Sequence, residues 1–205
     1  MNMYYYKDFI LFKHTLQHLL VKQIDVVDGS SLSNKTEMLC QLILWKSYNL
    51  LIGIEKSLRS NNFDVIVLCI RSQLEILGVL CTIEMEYKKY LQNKTTFDHI
   101  NEKIDNFILG SKNENYGKGY TTLHVMDFVR NIDKMKYLPT EDKTFFLHMY
   151  DVLCEFCHPN SYSLITNIKS VDNKVYIFGH YTFEKKEFEI IDYSKIVYPL
   201  LIDVY

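Results

Sequence analysis

The chain has 205 residues, of which 48% are hydrophobic and 14% aromatic, so a folded domain with a substantial core is expected and global disorder is excluded. The formal net charge is -2 at pH 7, so no net positive field attracts nucleic acid as a polyanion. Five cysteines, an odd number, lie in apolar helical patterns without a secretion signal. This pattern predicts a cytoplasmic protein with reduced thiols. The sequence contains no uninterrupted run of eighteen apolar residues, so it predicts no membrane span.

The first half of the chain predicts three helices, and the third should form the centre of the fold. Their expected bounds are 2–24, then from Ser33 or Asn34 to Arg59, then 62–91. The stretch 65–80 of the third helix is apolar nearly all round, which is typical of a helix buried on several sides.

The second half of the chain predicts shorter helices, followed by a change in the spacing of apolar residues from a helical to a strand pattern. Helices are expected over 97–109, from Thr121 or Thr122 to Lys136, from Thr140 to His158, and over 193–205. Apolar and polar residues alternate over 163–170 and 174–182, which predicts a hairpin, and 187–191 suggests a third strand. The fold class is therefore mainly α: a helical bundle of about six helices with a small antiparallel β-hairpin and a C-terminal helix. We expect one domain, 1–205, with the hairpin as an appendage at about 163–191.

A polar stripe lies on the helix that precedes Pro159. If this helix includes His158, the residues His148, Asp151, Glu155 and His158 fall at i, i+3, i+7 and i+10. At 100° per residue these positions share an arc of roughly 80°. Two imidazoles and two carboxylates so placed form either a chemical site or a solvated face with one capping histidine.

Arg71 and Glu75 lie one turn apart in the most apolar helix. Charges in such a place must be paired, because an isolated buried charge costs several kcal/mol. In a functional interpretation they face a polar pocket with residues of the later helix: Tyr150, Asp151, Glu155 and His158. In a structural interpretation they form a buried ion-pair network that fixes helix register, and the two roles are compatible.

Metal-ligand patterns are incomplete, and we expect neither a metal nor a cofactor. Cys154-x2-Cys157 is a zinc signature only when a second pair completes four ligands, so these cysteines are interpreted as small buried apolar side chains. Glu155-x2-His158 matches half of a di-iron bundle site, which needs the motif on two helices.

The segments Arg71-x3-Glu75 and Tyr150-x2-Leu-Cys-Glu155-x2-His158-Pro-Asn160, followed by a hairpin, resemble those of a group of uncharacterised bacterial helical proteins. That group carries R-x3-E and Tyr-x2-Leu-Ser-Glu-x2-His-Pro-Asn, so Cys154 stands where serine is usual. The resemblance spans roughly residues 62 to 191 and implies no settled activity.

A looser resemblance is to the HEPN superfamily, helical bundles found in bacterial toxins and phage defence. Many of its members are metal-independent ribonucleases with an R-x4–6-H motif, usually acting across a dimer. This chain lacks that motif, so the resemblance implies an arginine and a histidine from separate helices, Arg71 and His158.

The first functional hypothesis is a cytoplasmic bacterial defence or toxin-type protein that cleaves RNA by general acid–base action. His158 would transfer protons, Arg71 would stabilise phosphate charge, and Glu75 and Glu155 would orient them. Substrate binding or orientation is assigned to Tyr150, Asp151 and Asn160. The alternative is a non-enzymatic protein–protein interaction module of such a system, in which Tyr4–Tyr6 and the hairpin bind a partner protein or a second copy. A metal-dependent enzyme is third, and no membrane is expected as a partner.

Overall fold

The structure is a computed structural model that describes residues 3–24, 31–111, 113, 119–121, 124–135, 143–158, 168–171, 175–178 and 185–205. Seven α-helices lie in this described part, so the predicted α-helical bundle is confirmed as the fold class. Their bounds are α1 Met3–Leu19, α2 Leu32–Ser60, α3 Phe63–Leu91, α4 Phe97–Leu109, α5 Val125–Lys134, α6 Phe145–Cys157 and α7 Lys185–Val204.

Polar caps separate the two longest helices. Asn61 ends α2 in the left-handed conformation (φ 52°, ψ 35°), and Asn62 begins α3 by accepting a hydrogen bond from the Val65 N–H at 3.2 Å. Asparagine suits both positions, because its short amide side chain tolerates the left-handed region and replaces a missing helical acceptor. The two 29-residue helices therefore fold back on each other through a very short turn.

Helix α3 is the centre of the bundle, as predicted, since it packs against α2, α4, α5, α6 and α7. Leu74 and Leu77 are fully buried, and a Cβ on Gly78 would lie 2.7 Å from the Phe128 backbone on α5. Burial is nevertheless incomplete, because Leu68 is 50% exposed and Arg71 is half-buried. A helix that is apolar nearly all round can thus keep one stripe of its side chains at the protein surface.

Among the described helices, α3 alone is long and apolar enough to cross a membrane. Its most apolar 18-residue window is 67% buried inside the bundle, as expected for the core helix of a folded domain.

Two strands, β1 (Ile168–Val171) and β2 (Val175–Phe178), pair antiparallel with Ile168 opposite Phe178. They overlap the predicted strands 163–170 and 174–182. The predicted third strand over 187–191 is wrong, because α7 begins at Lys185 and not at residue 193. Residues Ile190, Ile191, Ser194, Val197, Tyr198 and Leu201 are buried at helical spacing, and this packing overrides the short alternation. The one-domain organisation stays a prediction.

Helix α6 is shorter than the predicted 140–158. It begins at Phe145, while Thr140 lies outside the described residues. It ends at Cys157, and His158 adopts an extended conformation (φ -93°, ψ 147°). Proline disfavours the helical conformation of the residue before it, so Pro159 explains why His158 leaves the helix.

Candidate functional site

The packing of α6 on α3 brings Arg71, Glu75 and Tyr150 into a triangle of hydrogen bonds. Arg71 Nε donates to Glu75 Oε1 at 3.2 Å, and Arg71 Nη2 donates to Tyr150 Oη at 3.0 Å. Tyr150 Oη donates in turn to Glu75 Oε1 at 3.1 Å. The guanidinium carbon also lies 5.2 Å from the centroid of the Tyr150 ring. Arg71 is therefore held in one orientation by groups from two helices.

Two thiols extend this triangle. Tyr150, Cys154 and Cys157 are spaced i, i+4 and i+7 on α6, so they share a helix face. Cys154 lies close enough to Tyr150, and Cys157 close enough to Arg71, for each pair to interact electrostatically. We call these five residues, Arg71, Glu75, Tyr150, Cys154 and Cys157, the Arg71 cluster.

Burial raises the pKa of both thiols in the Arg71 cluster, against the opposing effect of the Arg71 charge. Cys154 and Cys157 are therefore neutral at pH 7, where they supply soft hydrogen-bonding atoms and no negative charge. The only carboxylate in the cluster is that of Glu75.

Tyr150 and Arg71 keep their protons near neutral pH. Burial, together with the nearby Glu75 carboxylate, raises the pKa of Tyr150 to about 12, although the Arg71 hydrogen bond acts in the opposite direction. Burial lowers the pKa of Arg71, but hydrogen bonds to Tyr150 and Cys157 outweigh this effect and raise it. The triangle thus consists of a cation, a phenol and a carboxylate.

The Arg71 cluster reaches the surface and has hydrogen-bonding capacity left over. The side chains of Arg71 and Glu75 are 26% and 33% exposed. A guanidinium carries five N–H donors. Two of them are hydrogen-bonded in the described part of the chain, to Glu75 and Tyr150, and the Cys157 thiol lies beside the guanidinium, so at least two donors remain. These two donors are available to an anion that approaches from solvent.

The predicted polar stripe is only partly realised. His148, Asp151 and Glu155 are exposed on α6, on a face rotated by about 100° to 160° from Tyr150. His158 is also exposed, but the predicted continuous stripe through it is wrong, because α6 ends one residue earlier. Asn160 lies outside the described residues.

Sequence reasoning placed Arg71 and Glu75 beside Tyr150, Asp151, Glu155 and His158, and of these four the structure joins Tyr150 directly to Arg71 and Glu75. It missed the role of Cys154 and Cys157, which are half-buried against the guanidinium instead of enclosed in the core. The signal was present in the i, i+4, i+7 spacing from Tyr150. It was overlooked because cysteine was weighed as a zinc ligand or an apolar filler.

Within the described ranges, no group of three or more His, Cys, Asp or Glu side chains converges in a way that could hold a metal ion. The chain matches no protein-family model, no curated protein and no solved structure.

Proposed function

We propose that the protein is a bacterial defence or toxin-type ribonuclease that uses no metal ion, with the Arg71 cluster as its phosphate-binding centre. The observation that supports this is the Arg71 guanidinium, which Glu75 and Tyr150 orient while two N–H donors stay uncommitted. An oriented guanidinium suits a phosphodiester, because its planar fork matches two phosphate oxygens. A cytoplasmic location belongs to the same proposal.

The chemistry is attack of a ribose 2′-hydroxyl on the adjacent phosphorus. The O2′–P bond forms and the P–O5′ bond breaks, which leaves a 2′,3′-cyclic phosphate and a 5′-hydroxyl. His158 takes the proton of the 2′-hydroxyl and returns one to the departing 5′ oxygen. Arg71 stabilises the charge that develops on the phosphate oxygens.

The assignment of His158 to proton transfer rests on its place in the chain. His158 is exposed and directly follows Cys157, whose thiol lies near the Arg71 guanidinium. Glu75 holds Arg71 in place, and Glu155 is assigned to orienting His158. Tyr150 positions Arg71, while Asp151 and Asn160 are assigned to substrate binding.

The test is cleavage of an end-labelled single-stranded RNA by purified wild type, Arg71→Ala and Arg130→Ala. Arg130 is the matched control, because it is a surface arginine on α5 with its own acidic partner, Asp127, at 3.4 Å. We expect Arg71→Ala to lose about 100- to 1,000-fold of the cleavage rate, the cost of removing one preorganised donor group. Arg130→Ala should retain the wild-type rate.

A DNA strand of the same sequence should resist cleavage, because it lacks the 2′-hydroxyl. Equal RNA cleavage by wild type and a folded Arg71→Ala variant, or no cleavage by wild type, would contradict the proposal.

A second candidate is the non-enzymatic interaction module, and one surface favours it. Val21, Leu42 and Trp45 are 40%, 53% and 39% exposed, and Trp45 Nε1 donates to the Val21 carbonyl at 3.1 Å. Exposed apolar clusters of this kind are typical of protein contacts. The side chains of Tyr4–Tyr6 and of the hairpin, on which this alternative first rested, lie outside the described part.

Light scattering over a range of protein concentrations tests self-association through this surface. If the module reading is right, wild type should exceed monomer mass and the Leu42→Gln/Trp45→Ala variant should not. A monomer at every concentration removes the second-copy form of this candidate.

A further inference from the structure

A cleft of about 480 Å³ opens at the other end of the α2–α3 pair from the Arg71 cluster. It is lined by Leu32, Ser33, Thr36, Glu37, Cys40, Tyr87 and Tyr205. Tyr87 is sixteen residues beyond Arg71 on α3, roughly 24 Å along the helix. The volume is in the usual range for small-molecule sites.

The direction of the hydrogen bonds makes the Tyr87 oxygen an acceptor toward the cleft. Thr36 Oγ1 donates to the Leu32 carbonyl at 2.7 Å, which commits its proton. Thr36 Oγ1 also lies 2.6 Å from Tyr87 Oη, a contact in which either hydroxyl can donate, and with the Thr36 proton on the Leu32 carbonyl we assign Tyr87 as the donor. With its proton directed at Thr36, the Tyr87 hydroxyl offers only lone pairs to a ligand.

Glu37 adds a negative charge that nothing in the described residues neutralises. Its carboxylate is exposed and has neither an ion pair nor a hydrogen bond within that part of the chain. The nearby Lys35 is engaged elsewhere, since its Nζ lies 2.8 Å from Asp105 and 3.0 Å from Asn101. Burial and then the Glu37 charge raise the pKa of Cys40, so the Glu37 charge acts on the cleft wall.

Two tyrosines line the same cleft as Glu37. The Tyr205 hydroxyl accepts a hydrogen bond from Gln41 Nε2 at 2.9 Å, which fixes its position, and Tyr87 is fixed by Thr36. The negative face of an aromatic ring attracts a cation. A glutamate and two tyrosines, one of them with an accepting hydroxyl, therefore line one cleft, and these residue types suit a positively charged ligand.

We propose that this cleft binds the primary ammonium group of a small organic molecule. The ammonium N–H groups donate to the Glu37 carboxylate and to Tyr87 Oη, and the carbon chain lies on Leu32 and the tyrosine rings. This binding site is separate from the Arg71 cluster and does not depend on RNA cleavage.

Isothermal titration calorimetry with butylammonium chloride tests the site, with butanol as an uncharged analogue of similar size. We expect saturable binding of butylammonium to wild type and at least about tenfold weaker binding to Glu37→Gln, which loses a charge-assisted hydrogen bond. Glu189→Gln is the control, because Glu189 is an exposed glutamate (63%) on α7. It should bind as wild type does, and butanol should give no saturable heat.

Three outcomes overturn the ammonium site: no saturable binding to wild type, equal affinity in Glu37→Gln, or butanol binding as tightly as butylammonium. Far-UV circular dichroism of each variant checks that the fold is retained. Since Glu37 is exposed, its replacement by glutamine should leave the helices intact.

Discussion

Helix α3 carries two charged clusters, and they are built in opposite ways. In the Arg71 cluster a cation faces one carboxylate at a surface that is a quarter to a third exposed. Near the other end of the helix, Glu86 is only 5% exposed and faces two lysines and a histidine. Its Oε1 accepts from Lys103 Nζ at 2.7 Å and Lys89 Nζ at 2.8 Å, and its Oε2 lies 3.7 Å from His99 Nε2.

The charges around Glu86 form a closed network, whereas those of the Arg71 cluster form an open one. Glu86 Oε1 faces two lysines and Oε2 faces His99, and two of these three partners, Lys103 and His99, belong to α4. The Glu86 cluster therefore joins α4 to α3. Arg71 instead keeps two donors uncommitted at the surface, and the thiols around it add no negative charge. An open cation of this kind is suited to bind an anion.

The largest stability effect should come from Glu86→Ala, which removes the acceptor shared by Lys89 and Lys103. We expect a loss of about 2 kcal/mol in the free energy of unfolding, as for loss of a hydrogen-bonded charge. Urea denaturation measures this loss. Arg71→Ala should cost less, since its charged partner Glu75 is 33% exposed and can be rehydrated. The reverse order would break the comparison.

The Glu86 contribution should depend on pH in a defined direction. Burial raises the pKa of Glu86, but hydrogen bonds from Lys103 and Lys89 outweigh it, so the pKa is lowered from its usual 4.5. A lowered carboxyl pKa stabilises the fold above the unfolded-state pKa and loses that effect as pH falls through the folded-state value. The stability gap between wild type and Glu86→Gln should thus be full above about pH 5 and shrink in acid.

That pH dependence is measured by urea denaturation at several pH values between about 3 and about 7. Lys185→Gln, at a 92% exposed position on α7, is the control and should show no comparable trend. A gap that widens in acid would contradict the lowered pKa.

Tyr150→Phe should have a smaller effect on stability, about 1 kcal/mol, because one hydroxyl that bonds both Glu75 and Arg71 is lost. If Tyr150 positions Arg71, Tyr150→Phe should also slow RNA cleavage in protein that stays folded. With the phenol gone, Arg71 keeps its charge but loses one of its orienting contacts, so we expect about tenfold slower turnover with little change in KM. A rate equal to wild type would remove Tyr150 as a positioning residue.

The smallest effect should come from Glu84→Ala, which breaks the exposed i,i+4 pair with Lys88. Exposed helix pairs contribute only about 0.3–0.5 kcal/mol. Thermal unfolding should show this variant near wild type. A loss as large as that of Glu86→Ala would mean that burial does not distinguish these two carboxylates.

The sequence was sufficient for the helices, because their signals are local. Apolar spacing and the Asn62 cap identified α3, and charge placement in its apolar stretch identified the Arg71–Glu75 pair. Tyr150 followed from the same reasoning, since a buried charge requires a partner.

What the sequence could not supply depends on tertiary contacts. The alternation over 187–191 is too short to separate a strand from a helix, and burial of Ile190 and Ile191 decides for the helix. The half-burial of Leu68, Cys154 and Cys157 depends on which neighbours cover α3 and α6, and periodicity alone does not show that. The cleft at Glu37 joins residues far apart in the chain, so no local pattern indicated it.

The most direct test of the account is whether the Arg71 guanidinium binds the RNA backbone. The chain has three arginines, Arg59, Arg71 and Arg130, so their Nε–H signals in a ¹⁵N-labelled sample can be assigned with single Arg→Lys variants. Titration with a 2′-O-methyl oligoribonucleotide at low salt gives binding without cleavage.

The account predicts a saturable shift of the Arg71 signal, while those of Arg59 and Arg130 stay in place although their side chains are 57% and 55% exposed. If the oligonucleotide binds and the Arg71 signal does not move, or all three signals move alike, the Arg71 cluster is not the phosphate-binding centre.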